Sequence, residues 1–120
     1  MAAILVVDDS VVSQRVLGFT LKQNGHVVEQ AQHGRQALER LAEQPFDLVI
    51  ADLSMPIMDG LTLIQHLRAD DRYKKLPVIM LTASGQDRAY AAAGAAGADD
   101  CLTKPVGSRE LVAAVARLLR

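Results

Sequence analysis

Short apolar runs along the chain alternate with segments in which apolar residues recur at helical spacing. Such alternation is typical of a parallel sheet whose strands are joined by crossover helices. The runs that are bounded by turn residues, and that we predict to be strands, are residues 4–7, 26–31, 46–51, 77–81 and 99–103. The pattern therefore predicts an α/β fold with five parallel strands and five helices.

Each predicted strand is followed by a segment with helical periodicity. The positions predicted to face the sheet are Val16, Leu17, Thr20 and Leu21 in the first helix, Ala37, Leu38 and Leu41 in the second, Leu63, Ile64 and Leu67 in the third, and Leu111, Val115 and Leu118 in the fifth. Asn24-Gly25 ends the first helix, and Pro45 prevents the second from continuing beyond residue 44. The fourth helix, residues 86–96, is almost entirely alanine and glycine and is expected to end at Gly97. Ser108 is expected to open the fifth helix.

The length of 120 residues suits one domain, residues 1–120, because a single core of this size buries enough surface to fold. Half of the residues are hydrophobic but only 3% are aromatic. The core must therefore consist mainly of aliphatic side chains and methionine, as suits a parallel sheet covered by helices.

Charge and cysteine content limit the classes of function. The formal net charge is −1, with 13 basic and 14 acidic residues spread along the chain, so direct binding to nucleic acid is not expected. No apolar run approaches the roughly 20 residues that cross a bilayer, so we expect no membrane association. The single cysteine, Cys101, cannot form an intramolecular disulfide, which fits a reducing cytoplasm.

Polar side chains stand where four of the predicted strands end. Asp8 and Asp9 follow the first strand, and the third, fourth and fifth strands are followed by Asp52, Thr82 and Lys104. In open parallel α/β sheets, ligands bind beyond the carboxyl ends of the strands. Carboxylates brought together in a partly dry cleft repel one another, and a divalent cation relieves that repulsion. Ligands that are all oxygen favour Mg²⁺, with Mn²⁺ as a substitute.

A carboxylate beside such an ion can attack phosphorus and form an aspartyl phosphate. Thr82 could then donate a hydrogen bond to a phosphoryl oxygen, while Lys104 supplies positive charge to another. Taken singly, each residue has a plainer explanation: adjacent acids often cap a helix, Asp52 suits a turn, and Lys104 suits a solvated surface. Because all of them fall on one edge of the predicted sheet, we favour phosphoryl transfer onto the protein.

The segments VVDDS, DLVIADLSMPIMDG, PVIMLTAS and GADDCLTKP resemble the receiver domains of the two-component response-regulator family. The resemblance covers essentially the whole chain. It implies a doubly wound, flavodoxin-like sheet in the order 2-1-3-4-5 with helices on both faces. It also implies that Asp9 binds Mg²⁺ directly, that Asp8 binds it mainly through water, and that Asp52 and the backbone carbonyl of Ser54 complete the metal site.

The same resemblance implies the roles of the remaining site residues. Asp52 would accept the phosphoryl group from the phosphohistidine of a histidine kinase or phosphotransfer protein. Thr82 would be the switch hydroxyl, and Lys104 would pair with Asp52 and then with the phosphoryl group. The bond between Lys104 and Pro105 would be cis.

Two positions depart from the family pattern on the surface expected to bind a downstream protein or output domain, made of helix four, strand five and helix five. Cys101 stands where Tyr or Phe is usual, so the usual inward swing of an aromatic ring behind Thr82 cannot occur. Val106 stands where Phe is common. Ser54 and Ser84 occupy positions that tune the lifetime of the acyl phosphate in the family.

We therefore expect a phosphorylation-switched signalling domain that is not an enzyme with a small-molecule substrate, although phosphotransfer and slow self-hydrolysis would be catalysed by the receiver itself. One alternative is a degenerate receiver that binds a protein without phosphate. The other is a phosphatase of the haloacid dehalogenase type, which requires D-x-D after its first strand, whereas residue 10 is serine. A complete protein and a receiver excised from a larger regulator are both compatible with the sequence.

Overall fold

The computed structural model describes residues 2–83 and 87–119. Within these residues five strands alternate with five helices along the chain. The strands are β1 (Ala3–Val7), β2 (Val27–Ala31), β3 (Leu48–Asp52), β4 (Val78–Thr82) and β5 (Asp100–Thr103). The helices are α1 (Val11–Gln23), α2 (Gly34–Glu43), α3 (Gly60–Ala69), α4 (Asp87–Ala96) and α5 (Ser108–Leu118). Residue 86, predicted to begin the fourth helix, lies outside the described residues.

The strands form one parallel sheet in the order β2-β1-β3-β4-β5, as predicted. At its carboxyl end β1 pairs with both neighbours, since Val7 lies opposite Ala31 of β2 and Ala51 of β3. The register continues across the sheet, with Asp52 opposite Leu81 and Thr82 opposite Thr103. All five strands therefore end at the same edge, which is where the polar residues of the sequence fall.

The core has two layers because successive strand residues point to opposite faces of the sheet. Ile4 and Val6 pack on one face with residues of α1 and α5, whereas Leu5 and Val7 pack on the other face with residues of α2, α3 and α4. The largest fully buried side chains are aliphatic or methionine. This observation confirms the aliphatic core that the composition predicts.

The first helix buries three of the four residues predicted to face the sheet, namely Leu17, Thr20 and Leu21. Its buried residues include Gln14, Leu17, Gly18 and Leu21, which follow the spacing i, i+3, i+4 and i+7. Val16 lies off this stripe and is 56% exposed, so its prediction as a core residue is wrong. The apolar identity of Val16 misled the assignment, because helical geometry here places a glutamine and a glycine inward instead.

Helix ends are set by side-chain caps and by glycine. Ser10, His33 and Asp59 each accept a hydrogen bond from the backbone N–H three residues later, which satisfies a free donor of α1, α2 or α3. Gly97 has φ +111° directly after α4, as expected of a helix terminator. Within the described residues, no helix is both long and apolar enough to span a membrane.

Candidate functional site

The carboxyl edge of the sheet carries the predicted site residues. Asp8 and Asp9 follow β1, Asp52 and Thr82 are the last residues of β3 and β4, and Lys104 follows β5. Asp8, Asp52 and Thr82 are buried, with exposed fractions of 1%, 8% and 4%, whereas Asp9 is exposed. Ionisable groups this deeply buried require partners, because an isolated buried charge is costly.

Three carboxylates form an acidic cluster. One oxygen from each of Asp8, Asp9 and Asp52 lies within 4.8 Å of the others, and no other group of three acidic, histidine or cysteine side chains is this close among the side chains that the structure describes. The donors are all oxygen, which suits a hard divalent cation such as Mg²⁺. The exposed side chain of Asp9 leaves the cluster open to solvent on one side.

The ammonium group of Lys104 bridges the two buried carboxylates. Its Nζ donates to Asp8 Oδ2 and to Asp52 Oδ2, each at 2.8 Å. The pairing with Asp52 agrees with the sequence resemblance, whereas the contact with Asp8 was not predicted. Three carboxylates and one ammonium leave a formal charge of −2 at the site. A divalent cation would neutralise this charge.

The pKa values of Asp52 and Lys104 are both raised, for different reasons. Burial raises the pKa of Asp52, and its hydrogen bond with Lys104 opposes this effect only in part, while the negative charge of Asp8 raises the pKa further. Burial alone would lower the pKa of Lys104, but its hydrogen bonds to Asp52 and Asp8 raise that pKa overall. Lys104 therefore stays protonated at neutral pH and keeps a positive charge that can bind anionic oxygens within the site.

Each buried carboxylate is oriented by a tight turn as well as by Lys104. Asp8 Oδ1 accepts from the backbone N–H of Ser10 at 2.9 Å, and Asp52 Oδ1 accepts from that of Ser54 at 3.3 Å. Aspartate commonly forms such bonds two residues ahead in turns. One oxygen of each carboxylate is thus held by the backbone while the other faces Lys104.

Backbone contacts join the remaining strand ends to the site. The N–H of Lys104 donates to the carbonyl of Thr82 at 2.7 Å, which fixes the end of β5 against the end of β4. The peptide bond between Lys104 and Pro105 is cis, as the resemblance implies. Ser54 is exposed in the loop that follows Asp52. Ser84 lies outside the described residues.

The loop after Asp52 is packed tightly against β3. A Cβ on Gly60 would lie 2.5 Å from the carbonyl oxygen of Asp52 and 2.4 Å from Cε of Met80, so only glycine fits without displacement. Within the loop, the N–H of Met58 donates to the carbonyl of Pro56 at 2.7 Å, which closes a γ-turn at Ile57. Ile57 has φ +69°, a strained value for a β-branched residue.

Of the two positions that depart from the family pattern, Cys101 lies within β5 and Val106 lies three residues after its end. Cys101 is partly buried and packs with the core layer under α2 and α3, and burial raises the pKa of its thiol. Val106 packs against the opposite core layer. On α4, Tyr90 is 39% exposed and its hydroxyl contacts Oγ1 of Thr103. An aromatic side chain of α4 therefore contacts the end of β5.

Two features of the site were missed from the sequence. Gln14 lies buried beside the acidic cluster, and α1 presents Val12, Val16 and Phe19 to solvent with exposed fractions of 72%, 56% and 65%. The spacing i, i+4 and i+7 of the three apolar residues was a usable signal for one helix face. A cavity of about 350 Å³ lined by Val12 and Val16 reaches Lys104, so this face adjoins the site.

Comparison with known sequences identifies relatives over the whole chain. A family model of the response regulator receiver domain matches residues 4–116. The chain is 38% identical over 120 residues to the DNA-binding dual master transcriptional regulator RpaA of Synechocystis sp., and 35% identical over 117 residues to the phosphate regulon transcriptional regulatory protein PhoB of Escherichia coli. These alignments cover 100% and 98% of this chain but 50% and 51% of the two regulators. The chain thus spans about half the length of these relatives.

Known structures have the same fold. The chemotaxis response regulator CheY4 of Vibrio cholerae superposes with a TM-score of 0.93 at 34% identity, covering 99% of both chains. The signal receiver domain of a signal transduction histidine kinase from Syntrophus aciditrophicus superposes with a TM-score of 0.92 at 35% identity, covering 99% of this chain and 90% of that one.

Proposed function

The chain belongs to the receiver domain family of two-component response regulators, and from this we propose that residues 1–120 form one cytoplasmic signalling domain that is phosphorylated on Asp52. The donor is the phosphohistidine of a histidine kinase or phosphotransfer protein. The observation that carries this proposal is the convergence of Asp8, Asp9 and Asp52 with Lys104 at one sheet edge.

Asp8, Asp9 and Asp52 would hold Mg²⁺ together with the backbone carbonyl of Ser54, and Mn²⁺ would substitute for it. The all-oxygen donor set and the formal charge of −2 support this assignment. The bound ion supplies positive charge that neutralises the site and the phosphoryl oxygens as they approach.

The side chains of the site divide the work of phosphoryl transfer. A carboxylate oxygen of Asp52 forms a bond to phosphorus while the bond between phosphorus and the donor imidazole nitrogen breaks, and the electron pair of that bond stays on the nitrogen. Lys104, which already bonds to Asp52, keeps its positive charge against the phosphoryl oxygens. The hydroxyl of Thr82, which ends β4 beside Asp52, donates to another phosphoryl oxygen.

The family is a signalling family, so the chain acts as a switch and has no small-molecule metabolic substrate. Phosphotransfer and slow hydrolysis of the acyl phosphate are catalysed within the domain itself. A downstream protein or an output domain binds the surface made of α4, β5 and α5, and phosphorylation changes that binding. With Cys101 in place of an aromatic residue, we assign the readout to the contact between Tyr90 and Thr103, since Thr103 directly precedes Lys104.

A titration with beryllofluoride, which mimics an aspartate-bound phosphoryl group, tests the proposal. In the presence of Mg²⁺ we expect saturable binding by the wild-type chain, followed by amide chemical shifts, and none by Asp52→Asn. Binding that survives in Asp52→Asn contradicts Asp52 as the acceptor. No binding by the wild-type chain would instead favour a degenerate receiver that binds its partner without phosphate. A haloacid dehalogenase phosphatase is not favoured, since residue 10 is a serine that caps α1.

A further inference from the structure

Gln14 is a buried polar residue that the proposed chemistry does not use. It lies in α1 and is only 5% exposed, comparable with Asp8 and Asp52. Its side chain lines the same cavity as Asp8 and Asp9. A carboxamide buried this deeply must be explained by the groups that it contacts.

The carboxamide nitrogen of Gln14 joins the ends of two strands. Its Nε2 lies within hydrogen-bond distance of the backbone carbonyls of Val6 at 3.1 Å, Asp8 at 3.0 Å and Ala31 at 2.7 Å, and since the nitrogen carries two hydrogens, at least one N–H is shared between two of them. Val6 and Asp8 flank the last residue of β1, and Ala31 is the last residue of β2. Regular pairing of the two strands ends at Val7 and Ala31, and the carbonyl of Ala31 also accepts from the backbone N–H of Asp8 at 3.0 Å, so Gln14 reinforces the last bond between β1 and β2.

The bond to Asp8 determines where the acidic pair points. A peptide unit is planar, so the carbonyl of Asp8 and the N–H of Asp9 lie in one plane. By holding that carbonyl, Gln14 fixes the plane of the peptide between the two carboxylates and therefore the direction in which Asp9 leaves β1. The side chain of Asp8 is held separately, by Ser10 and Lys104.

The orientation of the amide is set by these three acceptors. Rotating the carboxamide by half a turn would bring Oε1 against three carbonyl oxygens. In the orientation observed, Oε1 is buried and has no hydrogen-bond partner among the described residues. The fold thus leaves one acceptor unsatisfied and keeps the two amide hydrogens directed at the three carbonyls where β1 and β2 end.

Gln14 holds the backbone at the ends of β1 and β2 without adding charge. A lysine or arginine side chain in the same place would place a second cation near Asp8 and Asp9, in addition to Lys104. A neutral carboxamide holds the backbone and leaves the negative charge of the cluster available to a cation.

We infer that Gln14 is a positioning residue for the divalent cation, acting through the peptide between Asp8 and Asp9; the inference rests on the proposed function. Removing a group that hydrogen-bonds to a metal ligand without touching the metal typically weakens metal affinity by about 10-fold to 100-fold. A residue that only packed α1 against the sheet would affect folding and leave the affinity for Mg²⁺ unchanged.

Calorimetric Mg²⁺ titration of three proteins separates these roles. Gln14→Met keeps a similar volume without donors, and we expect its Kd for Mg²⁺ to rise about tenfold or more. Thr20→Val is the matched control, because Thr20 is another buried polar residue of α1 but lies farther along the helix from Asp8. Its Kd is expected to equal that of the wild-type chain, even if its Tm falls.

An unchanged Kd in Gln14→Met, or an equal loss in Thr20→Val, overturns the inference while leaving the proposed function intact. A wild-type chain that does not bind Mg²⁺ overturns both. If Gln14→Met does not fold, nuclear magnetic resonance of the wild-type chain decides. The carboxamide protons of Gln14 should shift with Mg²⁺ at the same midpoint as the amide of Asp9, while those of Gln23 stay fixed; a Gln14 signal that does not move overturns the inference.

Discussion

At the scale of single residues, the site places two negatively charged side chains, Asp8 and Asp52, close together in a buried position. Asp52 is 8% exposed and shares Lys104 with Asp8, so one ammonium serves two buried carboxylates. The raised pKa of Asp52 shows that burial and the charge of Asp8 outweigh the attraction of Lys104. Ionised Asp52 therefore costs the folded state free energy, which the proposed cation would recover.

This cost predicts the pH dependence of stability when a chelator removes divalent ions. The folded pKa of Asp52 lies above its unfolded value of 3.8, so the folded state binds more protons and stability falls as pH rises through the interval between them. Asn cannot ionise and escapes this cost. We expect Asp52→Asn to be more stable than the wild-type chain at pH 7, by several degrees in Tm, with the difference shrinking toward pH 4.

Urea unfolding at a series of pH values measures this difference. Asp70→Asn provides a control of opposite sign, because hydrogen bonds from Arg72 lower the pKa of Asp70. A lowered pKa contributes stability that is present above the unfolded value and lost as pH falls. A deficit of Asp52→Asn that grows with rising pH would contradict the proposed cost of ionisation.

At the scale of elements, apolar patterning predicted the strands and helices because each strand of a covered parallel sheet is a short, nearly continuous apolar run. In α1 it placed Leu17, Thr20 and Leu21 in the core correctly, but it missed the buried Gln14 and counted the exposed Val16 as a core residue. The contact between Lys104 and Asp8 also escaped prediction, because it joins residues 96 positions apart and depends on the reach of one lysine side chain across the strand ends. Local patterns encode which residues lie at the edge but not which side chains meet there.

Two glycines in helices predict opposite responses to alanine. Gly94 lies within α4 with nothing within 4 Å of an added Cβ, so Gly94→Ala should stabilise the fold by about 0.5–1 kcal/mol. Gly60 begins α3 where an added Cβ meets the backbone of Asp52 and Leu53, so Gly60→Ala should destabilise it by roughly 1–3 kcal/mol. Urea unfolding of both variants checks the signs, and a neutral Gly60→Ala would mean that the loop moves freely.

The exposed apolar face of α1 predicts a docking surface for the protein phosphodonor. Val16 is 56% exposed and lines the cavity that reaches Lys104, so a donor protein seated there would bring its phosphohistidine close to Asp52. We expect Val16→Ser to slow phosphotransfer from a histidine kinase about tenfold or more. The rate with phosphoramidate, which needs no protein contact, should not change.

Val27→Ser is the matched control for this measurement. Val27 is also exposed, at 48%, but it begins β2 and so lies at the opposite edge of the sheet from Asp52. Its substitution should leave both rates unchanged. If Val16→Ser also slowed the reaction with phosphoramidate, the effect would belong to the site itself and the docking assignment would be wrong.

At the scale of the whole molecule, the distribution of charge matters more than its total. The net charge is only −1, yet three carboxylates converge on one edge of the sheet, two of them buried. The core beneath them is aliphatic and lies in two layers, covered by the five helices. The three carboxylates repel one another in the folded state, so a cation that binds them stabilises the whole fold.

This coupling predicts that Mg²⁺ stabilises the whole domain. A ligand that binds only the folded state adds RT ln(1 + [L]/Kd), about 2.7 kcal/mol when its concentration is 100 times Kd. The urea midpoint of the wild-type chain should therefore rise with Mg²⁺ at constant m-value, and Asp9→Asn should lose most of the response. Asp59→Asn removes the same charge while keeping an acceptor for the N–H of Thr62, so it should retain the full response. If both variants responded to Mg²⁺ equally, the ion would be acting by general screening of charge and the site would not be a specific one.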